Sequence, residues 1–361
     1  MKLERVKGRK WFRSRIAKAL FSASLIFALA GCSSFLYLSN LGWHQGQIAY
    51  YSSPIEEVLA RDEVNEQVKD KIRLVQAVKQ YGEEHLGLNP TKSYTTYYEL
   101  KGPVLNVVTA CEKDRLELRT WRFPVVGEVT YKGFFTEEDA ERERERLEEE
   151  GLDTCVQPVG AYSTLGWMRD PIFSSMLRWS PATLANVILH EMAHGTVYFK
   201  GATDLNERIA TFVGNKGAIR FTLETYGPGS KEYLQAVSVQ EDDLLFSVWV
   251  ERTFDKLSSL YGRDIPREEK IRERQEIFRL MKGELLDLRE KFKTKAYSDV
   301  ETMELNNAVL LAHRRYLRRL DGLEGLYEEA GQDLRKVVDI LKEAQVSKEK
   351  RLALTSLASP E

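Results

Sequence analysis

His190-Glu191-Met192-Ala193-His194 is the stretch that most narrows what this chain can fold into. It lies in the second half of Ala182 to Val197, a largely apolar run that reads as one α-helix behind Ser180 as N-cap and Pro181 in the first turn. Positions i and i+4 share a helix face, so both imidazoles converge on one point. Glu191 leaves the same turn at a different angle, where a carboxylate meets a water held by an ion rather than the ion itself. The pattern suits Zn²⁺, which binds neutral imidazoles, polarises a carbonyl and acidifies water. Glu191 then takes the water's proton and returns it to a leaving amine.

A catalytic zinc needs a third protein ligand and an open fourth position. No third histidine follows at the short spacing of the H-E-x-x-H-x-x-G-x-x-H class. Glu207 is the candidate instead. A turn over Lys200 to Asp204 lets Leu205 to Ile219 run back as a second helix, antiparallel to the first. Leu205, Ile209, Ala210 and Phe212 surround Glu207 with apolar residues, as expected for a helix packed inside. His190, His194 and Glu207 would then hold one Zn²⁺ per chain. Asp204 has two readings: a carboxylate that holds the far nitrogen of a metal-bound histidine, or the N-cap of the return helix.

Charge is distributed unevenly. The formal net charge is -2, but residues 1–31 carry +7 and the remaining 330 residues carry -9. A body this acidic is a poor binder of phosphate backbones, which argues against a nucleic-acid partner. Lys2, Arg5, Lys7, Arg9, Lys10, Arg13, Arg15 and Lys18 precede an uncharged run from Ala19 to Gly31. That run is shorter than the ~20 residues a spanning helix needs, and it reads as a signal peptide over 1–31. Leu29-Ala30-Gly31-Cys32 resembles the bacterial lipobox, which makes Cys32 the lipidated N-terminus of the mature chain. An uncleaved signal anchor is the competing reading. Ser33 carries no negative charge; in a Gram-negative source this directs the lipoprotein to the outer membrane, facing the periplasm. Two further cysteines remain, Cys111 and Cys155. An oxidising periplasm permits a disulfide between them, and two separate small core residues is the equal alternative.

The rest of the chain supplies the scaffold. Ile55–Val78 reads as helix, broken at Asn89-Pro90. Strand-forming residues follow at 94–98 and 103–110, and 115–123 alternates apolar and charged positions. Thr136 to Gly151 is a charged, solvated helix, and Cys155-Val156 returns to strand. Helical stretches then cover 181–219, 229–261, 266–292 and 304–344. Strands, one connecting helix, another strand and a run of helices make an α+β fold.

These residues resemble a known family, the bacterial predicted zinc aminopeptidases of the gluzincin type, which is rich in lipoproteins. The resemblance rests on Phe123-Pro124-Val125-Val126-Gly127, Tyr131-Lys132-Gly133-Phe134-Phe135 and Ala161-Tyr162-Ser163-Thr164-Leu165-Gly166-Trp167 with Asp170-Pro171. It also rests on the zinc pentapeptide, Asn206-Glu207, Asn306-Asn307-Ala308 and Tyr316. It implies a zincin-like metallopeptidase with a small mixed β-sheet, in which Glu207 is the third ligand. The single catalytic domain would span 32–345, with an α/β part over 32–180, a helical part over 181–345 and a tail over 346–361.

Within that frame Tyr162 is the first candidate to donate a hydroxyl to the developing oxyanion, with Tyr198 and Tyr316 behind it. Plain packing is the competing role of each. Asn306 and Asn307 either hold substrate backbone or amino groups or satisfy buried backbone at a helix start. The expected activity is hydrolysis of peptide bonds in a peptide or protein substrate, by removal of N-terminal residues. A zinc endopeptidase, a cell-wall peptide hydrolase and a non-catalytic zinc-binding lipoprotein are the alternatives.

Overall fold

A computed structural model describes residues 37–100, 104–123, 127–160, 169–317 and 320–347. The signal segment, Cys32, Tyr162 and the tail beyond 347 lie outside these residues. The description begins with helix α1 (37–51), which the sequence reading passes over because its aromatic and polar residues show no clear stripe. β1 (Ser53–Pro54) leads to α2 (Ile55–Ala60) and α3 (Glu66–Glu84). The single helix expected over 55–78 is therefore two, because the Asn65 side chain accepts the Gln67 amide at 2.8 Å and caps a new start.

The strands form three small sheets rather than one. β1, β2 (Thr96–Tyr98) and β8 (Ile172–Phe173) make a mixed sheet, with β1 antiparallel and β8 parallel to β2. β3 (Leu105–Cys111) is the centre of an antiparallel sheet, between β6 (Lys132–Phe134) and β7 (Asp153–Val159). β4 (Trp121–Phe123) and β5 (Gly127–Val129) form a separate ladder. The alternating stretch 115–123 is mostly irregular: it contributes β4 and an isolated bridge from Leu118 to Cys111. Helix α4 (Glu137–Glu149) covers the β3 sheet through Ala140 and Leu147, and its charged face stays in solvent.

The second half is helical: α5 (Pro181–His194), α6 (Thr203–Tyr226), α7 (Lys231–Tyr261), α8 (Arg267–Arg289), α9 (Asn307–Leu317), α10 (Asp321–Glu329) and α11 (Leu334–Val346). The long stretch expected over 304–344 is thus three helices. The result is a mixed α+β fold with small sheets and a largely helical C-terminal half, consistent with a zincin-like metallopeptidase. Among the described residues no helix is long and apolar enough to cross a membrane.

The main core joins α3, α5, α6 and α11 through residues such as Val75, Ile188, Phe212 and Val337. A second cluster, with Phe246, Trp249 and Met281, fixes α7 to α8. Cys111 and Cys155 are free thiols buried beside Ala308, Leu311 and Ala312. They are two core residues rather than a disulfide, and burial pushes each thiol up to about 12.

Candidate metal centre

Helix α5 starts as its sequence dictates. The Ser180 hydroxyl accepts the Thr183 amide at 3.1 Å, and Pro181 follows at the first helical position. The helix ends at His194, with Gly195 as its C-cap. Beyond it the chain reverses, and one side chain pins the reversal. Asn206, 2% exposed, accepts the Phe199 amide at 2.7 Å and donates to the Phe199 carbonyl at 2.9 Å. The next residue on α6 is Glu207. Asn206 is therefore the positioning residue for the return helix.

Contact between α5 and α6 brings the three expected ligands together. His190 Nε2 and His194 Nε2 are 3.2 Å apart, and Glu207 Oε2 lies 3.5 Å from the first and 3.6 Å from the second. Zinc–nitrogen and zinc–oxygen bonds of about 2.0–2.1 Å set the edges of a tetrahedron near 3.3–3.4 Å. The triangle of donors has the size of one tetrahedral face, so these residues fit zinc. Among the described residues they are also the group of three or more His, Cys, Asp or Glu side chains placed to hold a metal ion.

The electrostatics agree with a mutual partnership. Burial alone would push the Glu207 carboxyl up, but hydrogen bonds with the His190 and His194 rings outweigh it and hold it well below the usual carboxylate range. His194 behaves in the opposite sense. Burial would lower it, but the bond to Glu207 and the charges of Glu207 and Glu191 raise it. Glu191 is raised above an ordinary carboxyl, chiefly by burial and further by repulsion from Glu207 and Asp170, against the pull of the two histidines. A carboxyl biased towards protonation beside the metal triangle suits a group that must accept a proton and release it.

Other expected residues are placed differently. Asp204 is exposed in the first turn of α6, where a negative charge favours the helix N-terminus. It does not cap that helix, whose N-cap is Ala202 without a side-chain bond. His194 Nδ1 is buried and has no hydrogen-bond partner, so Asp204 does not hold it. Asn306 donates to the Thr154 carbonyl at 2.9 Å and accepts the Val309 amide at 2.8 Å. Asn307 is fully buried. It donates to the Glu112 carbonyl at 2.8 Å and accepts the Tyr261 hydroxyl at 2.9 Å. Its own amide bonds Asp153, the carboxylate that Arg274 grips at 2.6 and 3.0 Å. Both asparagines thus anchor α9 to the β3 sheet and to the loop that follows β3.

Tyr316, on α9, lies within electrostatic range of Glu207. It is 39% exposed, and desolvation together with the Glu207 charge raises it well above an ordinary phenol. Tyr131, in the turn between β5 and β6, is raised by burial and by the charges of Glu207 and Glu191. The sequence reading assigns Tyr131 no role, though it opens the stretch Tyr131-Lys132-Gly133-Phe134-Phe135 quoted for the family resemblance. Asp170, part of the Asp170-Pro171 pair, is a second such residue. It is buried, accepts the Ser93 hydroxyl at 3.2 Å, and its backbone carbonyl accepts the Tyr94 amide at 2.7 Å.

Two imidazoles one turn apart, a carboxylate from the returning helix and a further carboxyl beside them define a metallopeptidase centre. A model of the family described as "Putative aminopeptidase" matches residues 36–354, and the chain belongs to that family. No curated protein matches the chain. No solved structure matches it either.

Proposed function

We propose that the protein is a zinc metallopeptidase of the gluzincin type that removes N-terminal residues from peptides. The observation that carries this reading is the donor triangle of His190, His194 and Glu207, with edges of 3.2, 3.5 and 3.6 Å. His190, His194 and Glu207 would hold zinc, which would supply an acidified water and polarisation of a scissile carbonyl. Glu191 accepts a proton from the attacking water and passes it to the departing amine nitrogen. Tyr131 and Tyr316 both feel the Glu207 charge, and in this scheme one of their hydroxyls donates to the negative charge that develops on the carbonyl oxygen. Tyr162 remains a further donor in this scheme.

The proposal extends to location. The basic segment, the short uncharged run and Leu29-Ala30-Gly31-Cys32 support a lipid anchor on Cys32, with the body in the periplasm on the outer membrane. Radiolabelled palmitate incorporated by the native chain and absent from Cys32→Ser supports this; label retained in the variant overturns it.

The test of activity is zinc content by mass spectrometry, followed by hydrolysis of one peptide series with free or acetylated N-termini. One zinc per chain, with cleavage of the free series alone, is the expected result. Equal cleavage of the acetylated peptides identifies an endopeptidase. Cleavage of peptidoglycan stem peptides alone identifies a cell-wall hydrolase. Bound zinc without hydrolysis of any of them removes the catalytic reading.

A further inference from the structure

Helix α9 turns Ala308, Leu311, Ala312 and Arg315 to one buried face. The first three pack with Cys111 and Cys155, but the fourth is a full positive charge, 7% exposed. A buried guanidinium is normally matched by a carboxylate, because its five N–H donors and its charge lose water together. Arg274 shows the ordinary solution in this chain, with its bidentate grip on Asp153. On the neighbouring position Arg314 pairs with Glu251 at 2.9 Å.

Arg315 has no such partner among the described residues. It donates one hydrogen bond at 3.1 Å to the Thr130 hydroxyl. Its guanidinium carbon lies 5.0 Å from the centre of the Tyr131 ring. Its Nε is buried with no hydrogen-bond partner. Tyr131, against whose ring Arg315 lies, and Tyr316, the next residue on α9, both feel the charge of Glu207. A buried guanidinium with no carboxylate partner among the described residues thus lies against a tyrosine within electrostatic range of Glu207.

We propose that Arg315 is a substrate-binding residue that receives a carboxylate of the peptide, so that the enzyme selects substrates with an acidic group close to the scissile bond. The inference rests on the peptidase reading above. Planar, two-pronged recognition of a carboxylate is what a guanidinium does better than an ammonium, and Tyr131 and Thr130 hold this one in place. The carboxylate has two sources: an Asp or Glu side chain, or the free C-terminus of a short peptide.

The experiment uses the full chain loaded with zinc and carrying Glu191→Gln, so that peptides bind without being cut. Calorimetry compares Ala-Glu-amide with Ala-Gln-amide, and Ala-Ala acid with Ala-Ala amide. The first pair reads a side-chain carboxylate and the second reads the C-terminus. At least one pair is expected to favour the acid by about tenfold or more. Adding Arg315→Gln should abolish that preference, and Arg315→Lys should restore only part of it. Thermal melting of each variant checks that it is folded; if Arg315→Gln does not fold, the lysine variant and the native peptide pairs decide. A purely structural Arg315 would lower the melting temperature and leave the acid-to-amide ratio unchanged. Equal affinity for acid and amide, or an undiminished preference without the guanidinium, overturns the proposal. Failure of the wild-type enzyme to cut any peptide would instead overturn the peptidase reading, and this proposal with it.

Discussion

Gly214 on α6 lies directly against the Asn186 carbonyl on α5: a Cβ at Gly214 would sit 2.8 Å from that oxygen and 3.1 Å from the His190 Cβ. The two helices that carry the metal ligands are held at a separation only a glycine allows. The closest obstacle is backbone, which cannot rotate away as a side chain can. Gly214→Ala should force α6 outward, destabilise the fold by about 1–3 kcal/mol and stretch the Glu207 edge of the donor triangle. The measurable result is weaker zinc binding in a chelator competition, with a lower melting temperature. Native zinc affinity in that variant would mean the triangle tolerates a wider helix spacing.

Glu191 and Glu207 are both carboxyls near the same histidines, but they are driven in opposite directions. Glu207 is held ionised by the rings, and Glu191 is pushed towards protonation by burial. Their substitutions should therefore separate. Glu191→Gln should keep zinc near one per chain and lower the turnover number by about 10²–10⁴-fold. Glu207→Ala should lose zinc affinity first, and activity only as a consequence. Zinc titration alongside turnover at saturating metal distinguishes the two patterns.

The opposed shifts of Glu207 and His194 also contribute to the pH dependence of the metal-free fold. Glu207 is lowered from 4.5, so its contribution to stability is present above that value and is lost as pH falls through its folded-state pKa. His194 is raised from 6.5, so its contribution is present below that value and fades as pH rises through its folded-state pKa. Between these limits the pair stabilises the apoprotein. Zinc needs the imidazoles unprotonated, so its affinity should rise with pH as His194 gives up its proton. Urea midpoints at pH 4, 6 and 8, with chelator and with zinc, should show an apoprotein optimum near the middle value and a zinc increment that grows towards pH 8.

Much of this centre is legible in the sequence because its determinants are local. Ser180, Pro181 and the spacing of His190 to His194 each act within one or two helical turns. The reversal that brings Glu207 back needs only a short turn. Asn206 was visible as a neighbour of Glu207, but its bonds to Phe199 depend on how the turn closes. Tyr131 and Arg315 meet across 184 residues of chain, through an approach of β-turn to helix that no periodicity records. Asn306 and Asn307 illustrate the converse. In a linear reading two adjacent amides fit substrate contact or buried backbone equally; the folded chain engages them on the carbonyls of Thr154 and Glu112.

Asp243 gives a prediction independent of the metal. It lies on α7 in the second core, where the Tyr297 hydroxyl donates to its Oδ1 at 2.6 Å. Burial raises it from 3.8 to about 6, the neighbouring Asp242 charge adds to this, and the bond from Tyr297 only partly opposes it. Asp242 itself accepts the Lys293 and Thr294 amides, each at 2.8 Å. A raised carboxyl stabilises the folded state below its unfolded pKa, and that contribution is lost as pH rises through the folded value. At neutral pH the ionised Asp243 is therefore a net burden. Asp243→Asn keeps the oxygen that Tyr297 needs and removes the charge, so it should stabilise the protein by up to about 2 kcal/mol above pH 7 once solvent screening is included. The gain should shrink between pH 6 and pH 4 and vanish below. Chemical denaturation of both proteins across that range checks it: a gain that does not change with pH would mean that packing, not charge, separates them.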